Sequence, residues 1–439
     1  MMTSRSQNSA APVNKTSEAL ATFLDENRSV EFVRCQWVDF TATVRTRLIT
    51  SRLALGLAAQ SGTISVANPL VSAFLVDGSF NEIAPGTHDS LVPDWKSILV
   101  CHYQPNHAAV MCWIGQGGND FNACPRSLLQ KVEREIEEQQ EITFKIGVEI
   151  EFYLAESPES TGPAKDIGPY STTASLRNPS RLILEDSVRA LEAAGILVWT
   201  FHPELVAGLF EISLEPLSPS RAADALVYAN ETIKATAVKH GLHATMHPKP
   251  FDKTHSAGQH IHVSLSKDAD ADSFLAGVLD SVPGLMAITM PTYDSYLRSD
   301  FIGGGWISWD DENRLSTIRK IGTAHWEFRF VDSTTNTYLT LAAILGVGAK
   351  ALGRKQELKM RPLNGRMPLD KATREELGID KNAPRSLKDA VEALKEDEAV
   401  MSVLGQSTYE RFIRYKENEE AKLGGMTLQE RRALIMSIF

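Results

Sequence analysis

The sequence predicts an α+β chain in which a small mixed sheet precedes a larger region of strands and helices. Three observations lead there. Short segments of strictly alternating apolar and polar residues recur along the chain, the signature of half-buried strands. Longer segments with helical spacing, such as Ala222 to Gly241, lie between them. A polar, glycine-rich stretch from Gly115 to Asn122 separates the two regions.

The elements follow in order. Residues 1–16 are polar, with Ser, Asn and Pro and no apolar signal core, and read as a disordered tail. Ser17 to Asn27 has helical spacing with Leu20, Phe23 and Leu24 on one side. Val30 to Phe40 and Thr41 to Ile49 read as a hairpin, with Asp39 at the end of its first strand, and Ser51 to Gln60 as a short helix. Thr63 to Val92 is rich in Gly, Pro, Asn and Asp and reads as loop with brief structure. Ile98 to Tyr103 and Ala108 to Ile114 complete the small sheet. Beyond the junction, Pro125 opens a helix over Arg126 to Gln140, where proline in the first turn is tolerated. Further helices are expected over Arg181 to Ala194, Phe274 to Thr289, Leu339 to Leu352, Leu387 to Asp397, Ser407 to Glu419 and Leu428 to Ile438. Ser299 to Trp309, with Gly303 to Gly305, reads as a mobile loop.

Composition bounds the function. The chain has 439 residues, 43% of them hydrophobic, and a net charge of -10, which disfavours a nucleic-acid binder that works by phosphate neutralisation. No apolar run reaches transmembrane length. The four cysteines form no metal-binding pair and fit reduced thiols of a cytoplasmic protein.

The chemistry sits on strands. In Gly147 to Leu154, Glu149 and Glu151 share one face while Val148, Ile150 and Phe152 share the other. Paired carboxylates beside a core are costly unless water or cations offset their charge. A solvated edge strand is the plain alternative. His260, His262 and Ser264 alternate in the same way within Gly258 to Leu265, Glu327 and Arg329 within Trp326 to Phe330, and Glu204 and Glu211 bracket a glycine turn. If these strands adjoin, five carboxylates and a histidine line one channel, a donor set suited to Mg²⁺ or Mn²⁺. Arg314, Arg319 and Arg329 offer planar donors for phosphate oxygens. Arg314 and Arg319 are five apart and fall on opposite faces of an ideal strand unless a bulge or turn intervenes. Metals and arginines together point to phosphoryl transfer, with neither a P-loop nor a GxGxxG turn to hold a nucleotide.

The segments VEIEFYL, HPELVAGLFEI, HATMHPKP, GQHIHVSLS, NRLSTIR and WEFRFVDSTTNTYLTLAA, in that order, resemble the glutamine synthetase family. FVRCQWVDF, SLVPDWKSILV, CPRSLL and the C-terminal helices extend the resemblance from about residue 17 to the end. It implies a β-grasp domain over 17–118, a catalytic domain with a curved antiparallel sheet over 119–439, and a homo-oligomeric double ring, a decamer or dodecamer, with sites between subunits. It implies two or three Mg²⁺ or Mn²⁺ ions per site and ATP as co-substrate. One metal is expected on Glu151, Glu204 and Glu211, the other on Glu149, His260 and Glu327. Arg314, Arg319 and Arg329 match the phosphate-binding arginines, and His262 and Ser264 positions near the nucleotide. Arg298 matches the arginine on the glutamate α-carboxylate, Ser256 and Gly258 the glutamate loop, and Asp39 an aspartate that helps bind ammonium in the adjacent subunit.

Departures gather on the substrate side. His255 to Gly258 replaces an Asn-Gly-Ser-Gly loop, Leu209 stands where the family has glutamine, and Ala42 where it has glycine. The lid glutamate has no counterpart in the shortened loop, although Asp310, Asp311 and Glu312 follow nearby. A glycine-rich lid beside Trp306 and Trp309 leaves room for a larger amine, unless those rings simply pack. The leading expectation is an ATP-dependent ligase joining glutamate, or a similar acid, to an amine. Glutamine synthesis itself and a non-catalytic oligomer are the alternatives, and two-metal hydrolysis has only the metal site in its favour.

Overall fold

The computed structural model describes residues 15–67, 75–79, 88–115, 124–165, 170–266, 270–301 and 305–439. Most of the tail, the boundary at 118/119 with most of the glycine-rich junction, and Gly303 and Gly304 lie outside the described residues.

The first sheet contains β1 (Phe32–Val38), β2 (Val44–Thr50), β3 (Ile64–Ala67), β4 (His88–Pro93), β5 (Leu99–Val100) and β6 (His107–Ile114). Its order is β2-β1-β6-β4-β3, with β5 on β6, and β1 runs parallel to β6 at the centre. The helix Ser51–Gln60 crosses from β2 to β3, capped by the Thr50 hydroxyl on the Leu53 amide. Leu20, Val33, Cys35, Trp37 and Val110 form its core. Two strands, β3 and β4, fall in the stretch read as loop, where Gly, Pro, Asn and Asp masked short apolar runs. Conversely, the strand expected over Ile98 to Tyr103 shrinks to two residues.

The second sheet contains β7 (Phe144–Ala155), β8 (Val198–Pro203), β9 (Leu209–Leu217), β10 (His243–Thr245), β11 (Gln259–Leu265), β12 (Trp309–Asp311), β13 (Ile318–Gly322) and β14 (His325–Phe328). Its order is β12-β13-β14-β11-β7-β9-β8, with β10 also on β7, and every pairing except β12 with β13 is antiparallel. Val148, Ile150, Phe152, Ile212, Ile261 and Phe328 bury one face in the main core. The helices Pro125–Gln140, Pro219–Lys239, Ala271–Thr289 and Thr337–Gly353 contribute to that same core. Among the described residues one helix, Ala271–Thr289, is long and apolar enough to cross a membrane, and 83% of its apolar window is buried inside the protein.

Two short C-terminal helices, Lys371–Leu377 and Glu398–Leu404, escape the sequence reading because each spans only two turns. After the helix Ala271–Thr289 the chain enters a 3-10 helix, Tyr293–Phe301.

Candidate active site

Cross-strand register builds the site. Glu149 on β7 faces His260 on β11 and Ser213 on β9, and Glu151 faces Glu211. Glu211 in turn faces His202 on β8. His262 faces Glu327 on β14, and Glu327 faces Arg319 on β13. Directly opposed residues share a sheet face, so one face carries the acids, imidazoles and guanidiniums while the other is core. A glycine is needed at one point in this array. Gly147 lies opposite His262, and a Cβ there would stand 3.3 Å from the His262 Cβ.

The side chains converge closely. His260 Nδ1 stands 3.1 Å from Glu149 Oε2, 3.3 Å from Glu327 Oε1 and 3.7 Å from Glu151 Oε1. His262 Nε2 stands 3.0 Å from Glu149 Oε1. Glu204 Oε1 lies 3.2 Å from His202 Nε2, and the Leu205 amide donates to Glu204 Oε2 at 2.9 Å. Ser213 donates to Glu211 at 2.9 Å, and the Gly258 amide donates to Glu151 at 2.8 Å. Two compact groups result, His202 with Glu204 and Glu211, and Glu149 with His262 and Glu327. The acids and His260 expected to hold metal thus lie together on one face. His260 sits between Glu149 and Glu327, Glu151 lies beside it, and two further imidazoles join.

Electrostatics record the crowding. Burial by itself raises the Glu149 carboxyl, but hydrogen bonds from His260 and His262 outweigh it and hold it well below the usual carboxylate range. For Glu211, burial with repulsion from Glu149 and Glu151 outweighs His202 and the Ser213 hydrogen bond and pushes it up to about 8. For Glu327 burial is outweighed by His260 and Arg329, which lower it. His202 is raised by its bond to Glu204. Among the described residues no lysine or arginine pairs with Glu151, Glu204 or Glu211. This excess of clustered oxygen donors fits a divalent cation.

The arginines divide. Arg319 Nε lies 2.7 Å from Glu327 Oε2, and Arg329 Nη1 bonds Glu327 Oε1, so both guanidiniums are held at the edge of the acid face. Arg314 is exposed on the turn before β13, which answers the question of register raised by its spacing from Arg319. Arg298, on the 3-10 helix, is buried and donates to the carbonyls of Val331 at 2.9 Å and Arg329 at 3.3 Å. Its Nη2 leaves no room at Gly258, where a Cβ would approach to 2.8 Å. Ser256 is half-buried two residues earlier, and Ser264 faces His325 across β14. Asp39 is buried and bound by its own turn, accepting from Thr41 at 2.7 Å, Thr43 at 3.1 Å and Arg45 at 2.8 Å. Asn336 donates to the Asp39 carbonyl at 2.8 Å. Ala42, where the family has glycine, adopts a left-handed φ of 64°.

Two residues on this face escaped the sequence reading, His202 and His325, while Ser213 shares the face of Glu211 as its alternation predicts. His325 lies 3.3 Å from His262. The signal was available in both cases, since each sits two residues from an assigned acid. The lid substitutes fare otherwise. Asp310 is buried and accepts from Asp311, Asn313, Asn364 and Gly365, so it is a structural turn residue. Trp309 donates to the Met360 carbonyl at 3.0 Å, and the Arg374 guanidinium covers the Trp306 ring at 3.5 Å. Both rings pack, so neither forms the open amine pocket envisaged from the sequence.

An acid-rich sheet face with clamped arginines at its rim has the donor set that metal-assisted phosphoryl transfer requires. Residues 122–431 match the model of the glutamine synthetase catalytic domain. The chain belongs to the glutamine synthetase family, ATP-dependent ligases that use divalent metal ions. It is 33% identical over 362 residues to the glutamine synthetase of Thermococcus kodakarensis, covering 75% of this chain and 81% of that one. It is 28% identical to gamma-glutamylpolyamine synthetase GlnA3 of Streptomyces coelicolor, covering 91% of each. It is 30% identical to protein fluG of Emericella nidulans over 95% of this chain, and spans 50% of that protein's length. A solved structure of apo GmaS shares the fold, with a TM-score of 0.80, 24% identity, and coverage of 94% of this chain and 98% of that one.

Proposed function

We propose that this protein joins glutamate, or a similar acid, to an amine at the cost of ATP. A carboxylate oxygen attacks the γ-phosphorus, ADP departs, and an acyl phosphate forms. The amine nitrogen then attacks the carbonyl carbon, phosphate leaves, and the nitrogen sheds a proton. The observation that carries the reading is the cluster of Glu151, Glu204 and Glu211, which has no lysine or arginine partner among the described residues, beside Glu149, His260 and Glu327. These six residues, with His202 and His262, would hold Mg²⁺ or Mn²⁺. A divalent cation held there offsets the negative charge of the reacting phosphate and carboxylate. Arg319 and Arg329, oriented by Glu327, stabilise the phosphoryl oxygens, and Arg314 closes over them from its turn. His262 and Ser264 flank the nucleotide. Arg298, Ser256 and Gly258 position the acid.

An amine larger than ammonia is favoured by the missing lid glutamate and by the similarity to a protein named as a gamma-glutamylpolyamine synthetase. The first sheet is read as a β-grasp domain over 17–118, supported by its central parallel pair and single crossing helix, with the catalytic domain over 119–439. Its Asp39 would serve the neighbouring subunit of a cytoplasmic double ring of ten or twelve copies, a reading supported by the likeness to the family.

ADP release, measured with Mg²⁺ and ATP across a panel of acids and amines, tests the reading. Glutamate with a primary amine is expected to turn over faster than glutamate with ammonium. Full turnover with ammonium makes the protein a glutamine synthetase proper. No turnover with any pair, together with no ATP binding by calorimetry, makes it a non-catalytic member.

A further inference from the structure

Away from the acid face, a cavity of about 330 Å³ lies where the first sheet meets the helices of the second region. Gln36, Leu99 and Met111 line it from one side, and Gln130, Ile196 and Ala225 from the other. Arg126 reaches its wall, buried at 5% exposure. Two of its three nitrogens are matched, while Nη1 is buried without a hydrogen-bond partner among the described residues. Nη2 lies 2.7 Å from both Asp94 and Asp224, and Nε donates to Asp224 at 2.9 Å. Asp224 also accepts from the Tyr338 hydroxyl at 2.6 Å. Both acids of the cavity are thus consumed internally.

Its remaining charges are positive. Lys96 and Arg221 line the solvent side, are exposed, and have no acidic partner among the described residues. The rest of the wall mixes apolar Leu99, Met111, Ile196 and Ala225 with the polar side chains of Gln36, Ser97, Gln130 and Ser220. A cavity with an apolar patch inside and two cations at its mouth complements an anion with a small aliphatic body. We infer that it binds a small aliphatic carboxylate, whose body rests on Met111 and Ile196 and whose charge meets Lys96 and Arg221. Such a ligand bridges the two regions that Arg126 already ties together. It also touches β1 at Gln36, three residues before Asp39, so its occupancy bears on the segment that carries that aspartate.

Calorimetry on the nucleotide- and metal-free full chain with isovalerate tests this, with isoamylamine as the cationic control. Isovalerate is expected to bind and isoamylamine to give no heat. The double variant Lys96→Glu/Arg221→Glu should weaken binding by about tenfold or more. Ala225→Met fills the cavity and should abolish binding, with Ala225→Val replacing it should the larger side chain prevent folding. Glu327→Ala should bind isovalerate as the wild type does, which separates this cavity from the ligase site. Absence of heat with isovalerate, or unchanged affinity in either the charge-reversed or the filled variant, overturns the assignment.

Discussion

Glu327 concentrates the chemistry of the site in one side chain. At 1% exposure it meets His260 at 3.3 Å and Arg319 at 2.7 Å, and it also holds Arg329. Its removal takes away an oxygen donor and frees two phosphate-facing guanidiniums at once. Glu327→Ala is expected to lower turnover by at least ~100-fold, read as ADP release, while near-native circular dichroism shows that the chain still folds. Gly258 tests the substrate side. Gly258→Ala would thrust a Cβ within 2.8 Å of both Arg298 and His260, so the KM for the acid should rise. An unchanged KM would place acid binding elsewhere. Metal occupancy is a third test at this scale. The melting temperature of the wild type should rise with added Mg²⁺ or Mn²⁺, by the equivalent of about 2.7 kcal/mol at a hundredfold excess over Kd. In Glu211→Gln that rise should shrink, because the cation loses one of its charged donors.

Among the elements, β7 shows how a strand serves core and chemistry together. Its period of two sends Val148, Ile150 and Phe152 into the main core and Glu149 and Glu151 to the site. This alternation is legible in any reading of the chain. The helices behind the sheet are less transparent, because they pack closely through small residues. A Cβ at Gly277 would come within 2.3 Å of Ala351 and 2.9 Å of the Val347 carbonyl, and one at Gly348 within 2.2 Å of Phe274. The helices Ala271–Thr289 and Thr337–Gly353 can therefore approach only where these glycines stand. Gly277→Val should cost about 1–3 kcal/mol or more through overpacking, measured by denaturant unfolding. A stability equal to wild type would show that the helices can move apart freely.

For the whole molecule, Arg126 is the tie between the two regions. It opens the helix Pro125–Gln140 and bridges Asp94, just after β4, to Asp224 on the helix Pro219–Lys239. Arg126→Met should cost ~3–5 kcal/mol, because two partly buried carboxylates lose their partner. Unfolding monitored separately at Trp113 and Trp326 should then lose its coincidence, the first region melting earlier. A second tie runs through the buried pair of Lys416 and Glu419, whose carboxylate also accepts from the Val76 amide at 3.0 Å.

Much of the site was already written in the order of residues. Alternation alone placed Glu149, Glu151, His260, His262 and Glu327 on faces opposite a core, since a strand leaves no other choice of side. Family motifs supplied the grouping. What remained hidden depends on which strands adjoin and in what register. His202 joins Glu204 and Glu211 only because β8 pairs with β9, and His325 reaches His262 only because β14 pairs with β11. Arg314 departs from Arg319 because a turn precedes β13, and Asp310 is spent on a turn closed by residues more than fifty positions away. The sequence by itself determined which side chains leave the core, through short-range periodicity. Only the tertiary structure decided which of them meet, because strand neighbours are chosen by packing across the whole chain.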